Sequence, residues 1–180
     1  MFILKNKDGI LSKDLRQWEN VLPIIKYKST FLAFIRMFAT FKEYRSYFLY
    51  RCGTIGDFIR LFTPVMPNLY FVTSKENIQH GLVLQHGFST IIFAERIGRN
   101  CQIWHNVTIG RAHNGGGRPI IGDNVKICTG AVVIGNISIG NNVTIGAGSI
   151  IVKDAPDNCV VCGNPARIIK ISDEKVNITL

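Results

Sequence analysis

Between residues 97 and 151 an aliphatic side chain returns at every sixth position: Ile97, Ile103, Ile109, then Ile121, Ile127, Val133, Ile139, Ile145 and Ile151. The step from Ile109 to Ile121 is twelve, so the phase survives the Gly-rich stretch between them. A turn-forming glycine often follows, at Gly98, Gly110, Gly122, Gly140 and Gly146. An amphipathic helix repeats every three to four residues and a half-buried strand every second residue, so neither makes this pattern. A hexapeptide period specifies a parallel β-helix, in which each unit is a short strand plus a turn. Three units close one triangular coil of about eighteen residues, and the marked aliphatic side chains point inward and stack from coil to coil.

Composition divides the 180 residues unevenly. Residues 1–71 hold 15 of the 18 aromatic side chains and only 3 of the 17 glycines, which puts a boundary near Pro64–Asn68. Three segments follow: a helical N-terminal region over 1–71, a β-helix over 72–165 and a C-terminal tail over 166–180. A hydrophobic content of 47% with 18% charged residues excludes a disordered chain. The formal charge of +9 suits an anionic partner, such as a phosphate-rich cofactor or an anionic membrane face. No basic run of five residues occurs, so nucleic acid is not expected. The odd set of five cysteines forms no disulfide framework and suits a reducing, cytoplasmic setting. Lys5, Lys7 and Asp8 break any secretory pattern. Cys159-Val-Val-Cys162 has the spacing of a metal pair, but it lies in an apolar strand-like stretch with no second pair nearby. Packed thiols are the expectation, and no metal.

Residues 13–50 read as helical, with Phe31, Phe34, Ile35, Phe38 and Phe41 at helical spacing beside Lys42, Arg45 and Arg51. That face packs on the first coil and a neighbouring subunit, or rests on a membrane as a basic aromatic surface. Asp57–Phe62 forms one more turn or short helix. The coils start before residue 97: Ile78 and Leu84 are six apart, and Ile91 is the next inward residue, seven on. His86 lies in that irregularity. The loop 111–119 interrupts the rhythm again, and its run Gly115-Gly116-Gly117 permits positive φ. Interruptions of a repeat fold cluster on its working face.

His86 stands two residues after the inward Leu84, and His105 two residues after the inward Ile103. Equivalent positions on adjacent coils lie about 5 Å apart at the backbone, the spacing of neighbouring strands. Two stacked imidazoles beside a kink make a candidate acid/base centre. His80 and His113 read as surface or loop residues, with His113 able to reach the site through its loop. A two-histidine metal site lacks a third ligand at fixed spacing.

The segments Gly81-Leu-Val-Leu-Gln-His86-Gly, Trp104-His-Asn-Val-Thr-Ile-Gly110, Ile145-Gly-Ala-Gly-Ser149 and Val161-Cys-Gly-Asn-Pro-Ala-Arg167 resemble the serine acetyltransferase branch of the left-handed β-helix acyltransferases. The resemblance covers residues 75–170 well and 30–75 weakly. It implies a left-handed parallel β-helix, a homotrimer with active sites between subunits, and acetyl-CoA as co-substrate. It puts the general base at His86, beside which the repeat spacing sets His105 as a second catalytic candidate. It implies cofactor contacts at Thr129 and Ala147, at Val152 and Lys153 near the pantetheine arm, and at Arg167 and Lys170 near the CoA phosphates. Gln85, Arg118 and His113 stand as acceptor-side residues.

The chain also departs from that pattern. The aspartate that pairs with the catalytic histidine fifteen residues downstream is Phe71 here. The aspartate just before the histidine is Gln85. The Arg-His-Pro after the Gly-rich loop reads Gly117-Arg118-Pro119. With His105 present, the pattern resembles the O-acetyltransferases of capsule, colanic-acid-type and O-antigen clusters. The expectation is therefore acetyl transfer to a sugar hydroxyl of a surface-polysaccharide precursor, in the cytoplasm and at the inner membrane face. Serine O-acetylation for cysteine synthesis is the alternative, and a catalytically silent trimeric scaffold is an alternative of another class.

Overall fold

The computed structural model describes residues 9–22, 29–172 and 174–180. Its coils present three walls. The first consists of Leu69–Phe71, Thr90–Ile92, Thr108–Gly110, Val132–Ile134 and Ile150–Ile151, paired in that order and parallel. The second consists of Arg96–Ile97, Ile120–Ile121 and Ser138–Ile139. The third runs through Val83–Gln85, Gln102–Trp104, Lys126–Ile127, Thr144–Ile145 and Cys159–Cys162, then continues as two antiparallel strands, Arg167–Ile171 and Glu174–Thr179. The sheet thus begins at Leu69, three residues ahead of position 72. All nine aliphatic residues of the six-step series are at most 2% exposed. The loop 111–119 inserts six extra residues, one repeat length, between the first and second walls, which is why the phase holds across it: Ile97 pairs with Ile121, twenty-four residues on, where Ile127 pairs with Ile145 after eighteen.

One inward residue differs from the sequence expectation. Ile92, not Ile91, faces the core; Ile92 is fully buried and Ile91 is 41% exposed. The cause lies in the preceding turn, where His86, Gly87 and Ser89 all have positive φ and the chain bows outward by two residues. The next step, Ile92 to Ile97, is one residue short of six. The full turn from Leu84 to Ile103 is nineteen, as the register Leu84↔Ile103 records.

Tight corners hold the coils. At the corner between the second and third walls, Asn100, Asn124, Asn142 and Asn158 adopt left-handed backbone with φ of 56–57°. Asparagine tolerates that conformation because its short amide bonds locally. The amides form a ladder up the stack, with Asn124 donating to Asn142 at 3.0 Å and Asn142 to Asn158 at 2.8 Å. Beside them, a Cβ on Gly122 would fall 2.6 Å from the Gly140 carbonyl oxygen, so this corner admits glycine alone.

Helices cover the first coil. They are α1 (Ile10–Val21), α2 (Thr30–Thr40), α3 (Lys42–Arg51) and α4 (Thr54–Arg60). The predicted helical stretch 13–50 is thus broken at Phe41, whose backbone is extended; its portion 23–28 lies outside the described residues, as does the segment 1–8. The buried line of α2 is Ala33 and Met37, with Phe34 and Phe38 half-buried and Phe31 and Ile35 exposed. α1 buries Leu11, Asp14, Leu15 and Trp18, one helical face, and the Trp18 indole donates to the Leu82 carbonyl at 2.8 Å. Phe71 stacks on Tyr50 with ring centroids 4.4 Å apart, so it serves as an aromatic joint between α3 and the first wall.

A buried polar knot fastens this cap. Arg51 donates to the carbonyls of Lys75 at 2.8 Å and Ile78 at 2.7 Å, and its Nε lies 3.3 Å from the Asp14 carboxylate. Asp14 also accepts the Gly81 N–H at 2.5 Å. Burial outweighs the pull of Arg51 and pushes the Asp14 carboxyl up to about 6. No helix among the described residues is long and apolar enough to cross a membrane.

Two expectations follow from these contacts. Asn142→Ala removes the amide that makes positive φ tolerable for a residue with a Cβ and breaks the ladder, costing about 2 kcal/mol, while Asn142→Gly, with no Cβ, costs less; urea unfolding of both variants measures the difference. For Asp14, a folded value above the unfolded 3.8 means that its contribution is complete below about pH 4 and is lost as pH rises through 6. The stability of the protein relative to Asp14→Asn should therefore fall by about 3 kcal/mol between pH 4 and pH 7. A constant difference over that range would contradict the assignment.

Candidate active site

Parallel register turns equivalent corners into columns. Two residues past the inward positions Leu84, Ile103, Ile127, Ile145 and Val161, at the corner between the third and first walls, stand His86, His105, Thr129, Ala147 and Gly163. The two histidines meet as the spacing implies, with ring centroids 5.9 Å apart and an interplanar angle of 64°. His86 is exposed and sits at φ 66°; its carbonyl accepts the Phe88 N–H, while its ring makes no hydrogen bond among the described residues. His105 is half-buried, and its Nδ1 is buried without a partner. Phe88, displaced outward by the same bulge that carries His86, stacks on His105 at 4.6 Å. Sequence reasoning missed Phe88, because its position depends on the left-handed conformations of His86 and Ser89, neither of which is a glycine.

Below the histidines the column narrows to small groups. The Thr129 hydroxyl donates to the His105 carbonyl at 3.0 Å, and the Gly148 N–H donates to the Thr129 carbonyl at 2.9 Å. Ala147 and Gly148 are exposed, and a Cβ on Gly148 would meet nothing within 4 Å. The result is an open track leading from two imidazoles. Arg167 pairs with Cys162 in the antiparallel strand, which brings it beside the far end of the track, where its Nε donates to the Asn177 side chain.

The other anticipated residues lie elsewhere on the chain. Val152 and Lys153 follow the last strand of the first wall, at the opposite end of that wall from the histidines; Lys153 donates to the Leu180 carbonyl at 2.8 Å. The loop bearing His113 and Arg118 leaves from that same far corner. The His113 Nδ1 meets the Asn114 carbonyl at 3.0 Å. Arg118 donates through Nε to Glu95 at 2.8 Å and lies over the Phe93 ring, which Arg111 also covers, each guanidinium 5.1 Å from the centroid. Lys170 pairs with Val160 and borders an open hollow lined by Asn142, Asn158 and Ser172. Gln85 is half-buried and paired in register with Trp104. Cys159 and Cys162 point to opposite faces of their strand, one buried and one half-buried, which separates their thiols.

The fold and the sequence resemble known proteins. The Hexapep family, described as bacterial transferase hexapeptide (six repeats), matches residues 118–153. The chain is 40% identical over 127 residues to a serine acetyltransferase of Synechococcus elongatus, covering 63% of this chain and 52% of the relative. It is 33% identical over 150 residues to one from Bacillus pumilus, covering 79% of this chain and 64% of that one. Among solved structures, the Neisseria gonorrhoeae serine acetyltransferase in complex with serine superposes with a TM-score of 0.67 at 26% identity, over 92% of this chain and 71% of that one. A serine acetyltransferase complex with CoA gives a TM-score of 0.66 at 21% identity, over 93% and 72%. The architecture is thus a left-handed parallel β-helix of hexapeptide repeats behind a few helices. Its likeness is to the serine acetyltransferases in particular, although the chain spans only 52–64% of the length of these two relatives.

Proposed function

We propose that the chain is an acetyl-CoA-dependent O-acetyltransferase with serine as its acceptor. The single observation that carries the acetyl-transfer reading is the corner column, in which two imidazoles, set edge to face, head an open track of small side chains. Such a track fits a long, thin acyl carrier: Thr129, Ala147 and Gly148 leave room for its arm, and Arg167 at the far end suits its phosphates through charge-assisted bonds. When bound, acetyl-CoA supplies an activated thioester. His86, exposed and with a ring free of hydrogen bonds among the described residues, takes the proton of the acceptor hydroxyl as that oxygen attacks the acyl carbon, and returns it to the departing thiolate. Backbone N–H groups of the adjoining turns are suited to hold the developing oxyanion.

The column and the Gly-rich loop sit at opposite ends of the first wall of one chain. A site using both, together with Val152 and Lys153, therefore needs a second copy, and we take the working form to be a homotrimer with sites between subunits. The outward side of that wall carries Tyr70, Ile91 and Val152, each more than 40% exposed, as an apolar contact surface.

Serine is the acceptor favoured by the likeness to serine acetyltransferases, where sequence departures alone pointed to a sugar. Nothing in the comparisons supports the polysaccharide expectation or membrane contact. One observation keeps a saccharide hydroxyl as a second reading: Phe71 is committed to aromatic packing and Arg118 to Glu95, so the groups expected to grip an ammonium and a carboxylate are engaged otherwise.

Purified protein with acetyl-CoA and either serine or a panel of saccharides, assayed for free CoA, decides the acceptor. Release with serine alone is expected; release with saccharides alone would replace this reading by the second, and release with neither would favour a scaffold. His86→Ala should lower turnover by roughly 10²–10⁴ while CoA still binds. His105→Ala should cost less if it only positions the acceptor; unaltered turnover in His86→Ala would remove that residue from the chemistry.

A further inference from the structure

A general base needs a group that orients it, and the His86 ring makes no hydrogen bond among the described residues. The position expected to supply a carboxylate holds Phe71, whose ring is stacked on Tyr50. The neighbouring position holds Gln85. A different element brings a carboxylate to this turn. Gly87, directly after His86, is buried under the first turn of α3, and a Cβ built on it would lie 3.4 Å from the Cβ of Glu43. Glu43 is half-buried and makes no ion pair among the described residues. Its carboxylate extends two carbons beyond that Cβ, and adjacent Cα atoms are about 3.8 Å apart, so the carboxylate lies within one side-chain length of the His86 turn. Two titratable side chains therefore flank the His86 turn: Glu43 from the helix on one side and His105 from the next coil on the other.

We infer that Glu43 is the positioning residue for His86, a carboxylate lent by the helical cap to the first coil, so that Glu43, His86 and His105 form one line along the corner. This inference rests on the acetyl-transfer reading for its kinetic consequence, though not for its geometry. A carboxylate there accepts the N–H of one ring nitrogen, leaves the other free to receive the acceptor's proton, and stabilises the imidazolium that forms. Glu43 acts through His86 and touches no reacting atom.

The test uses Glu43→Ala and Glu43→Gln in the full chain. Ring-nitrogen ¹⁵N spectra of the unliganded protein should show one dominant His86 tautomer in the parent. That preference should persist in Glu43→Gln, which keeps an acceptor oxygen, and should be lost in Glu43→Ala. Turnover should fall about tenfold or more in both variants, with KM for acetyl-CoA unchanged and the acid limb of the pH–rate profile moved. A merely structural role at the α3 N-terminus would lower the melting temperature and leave tautomer and pH profile as they were; that result overturns the inference. If the parent transfers no acetyl group, the acetyl-transfer reading fails while the tautomer spectra still decide the role of Glu43.

Discussion

The whole molecule hangs on parallel register. Each inward aliphatic residue is held in register between the coils on either side and stacks on their counterparts, as in Ile103 with Leu84 above and Ile127 below. A slip of one residue would turn every core side chain outward. That constraint fixes the corners as firmly as the core, because turns between registered strands must also superpose. The asparagine ladder, the glycine corner beside it and the histidine column are three results of the same rule. Two imidazoles are held together without any direct bond between them, by the pairing of Gln85 with Trp104 one residue earlier.

A stack of coils has two open ends, and its functional corner lies near one of them. The helical cap closes that end through the Asp14–Arg51 knot and the Trp18 indole, so attachment of the cap and shape of the site are linked. The knot is a buried ion pair, which contributes little net stability but penalises misplacement strongly, since either partner alone would be left charged in the interior. It also sets where α3 lies, and thereby where Glu43 lies.

Much of this was legible in the residues, and the illegible parts share a cause. The six-residue series is readable because each inward position repeats one environment, and the loop at 111–119 because Gly115-Gly116-Gly117 announces it. The meeting of His86 with His105 follows from counting. The shift from Ile91 to Ile92 does not, since the bulge depends on His86 and Ser89 adopting a conformation their side chains do not advertise. The break at Phe41 was hidden for a similar reason: the aromatic periodicity runs across it, and the break is a backbone event. Contacts between distant elements, such as Phe88 on His105 or Glu43 against Gly87, have no signature in local spacing at all. The acceptor lay furthest out of reach, because departures at Phe71, Gln85 and Gly117 tell what is absent and leave open what replaces it.

The last coil is closed differently from the first. After Cys159–Cys162 the third wall stops winding and turns back on itself as Arg167–Ile171 and Glu174–Thr179, antiparallel, with Glu174 and Lys175 exposed on the outermost strand. A bare terminal coil would display ordered rows of unpaired amides, the template on which another stack could seat and extend without limit. A reversed strand that carries exposed charge does not match the parallel coils of a second molecule. The hairpin therefore acts as a terminator: it makes a fold built on endless repetition into a particle of finite length, and keeps it from polymerising end to end.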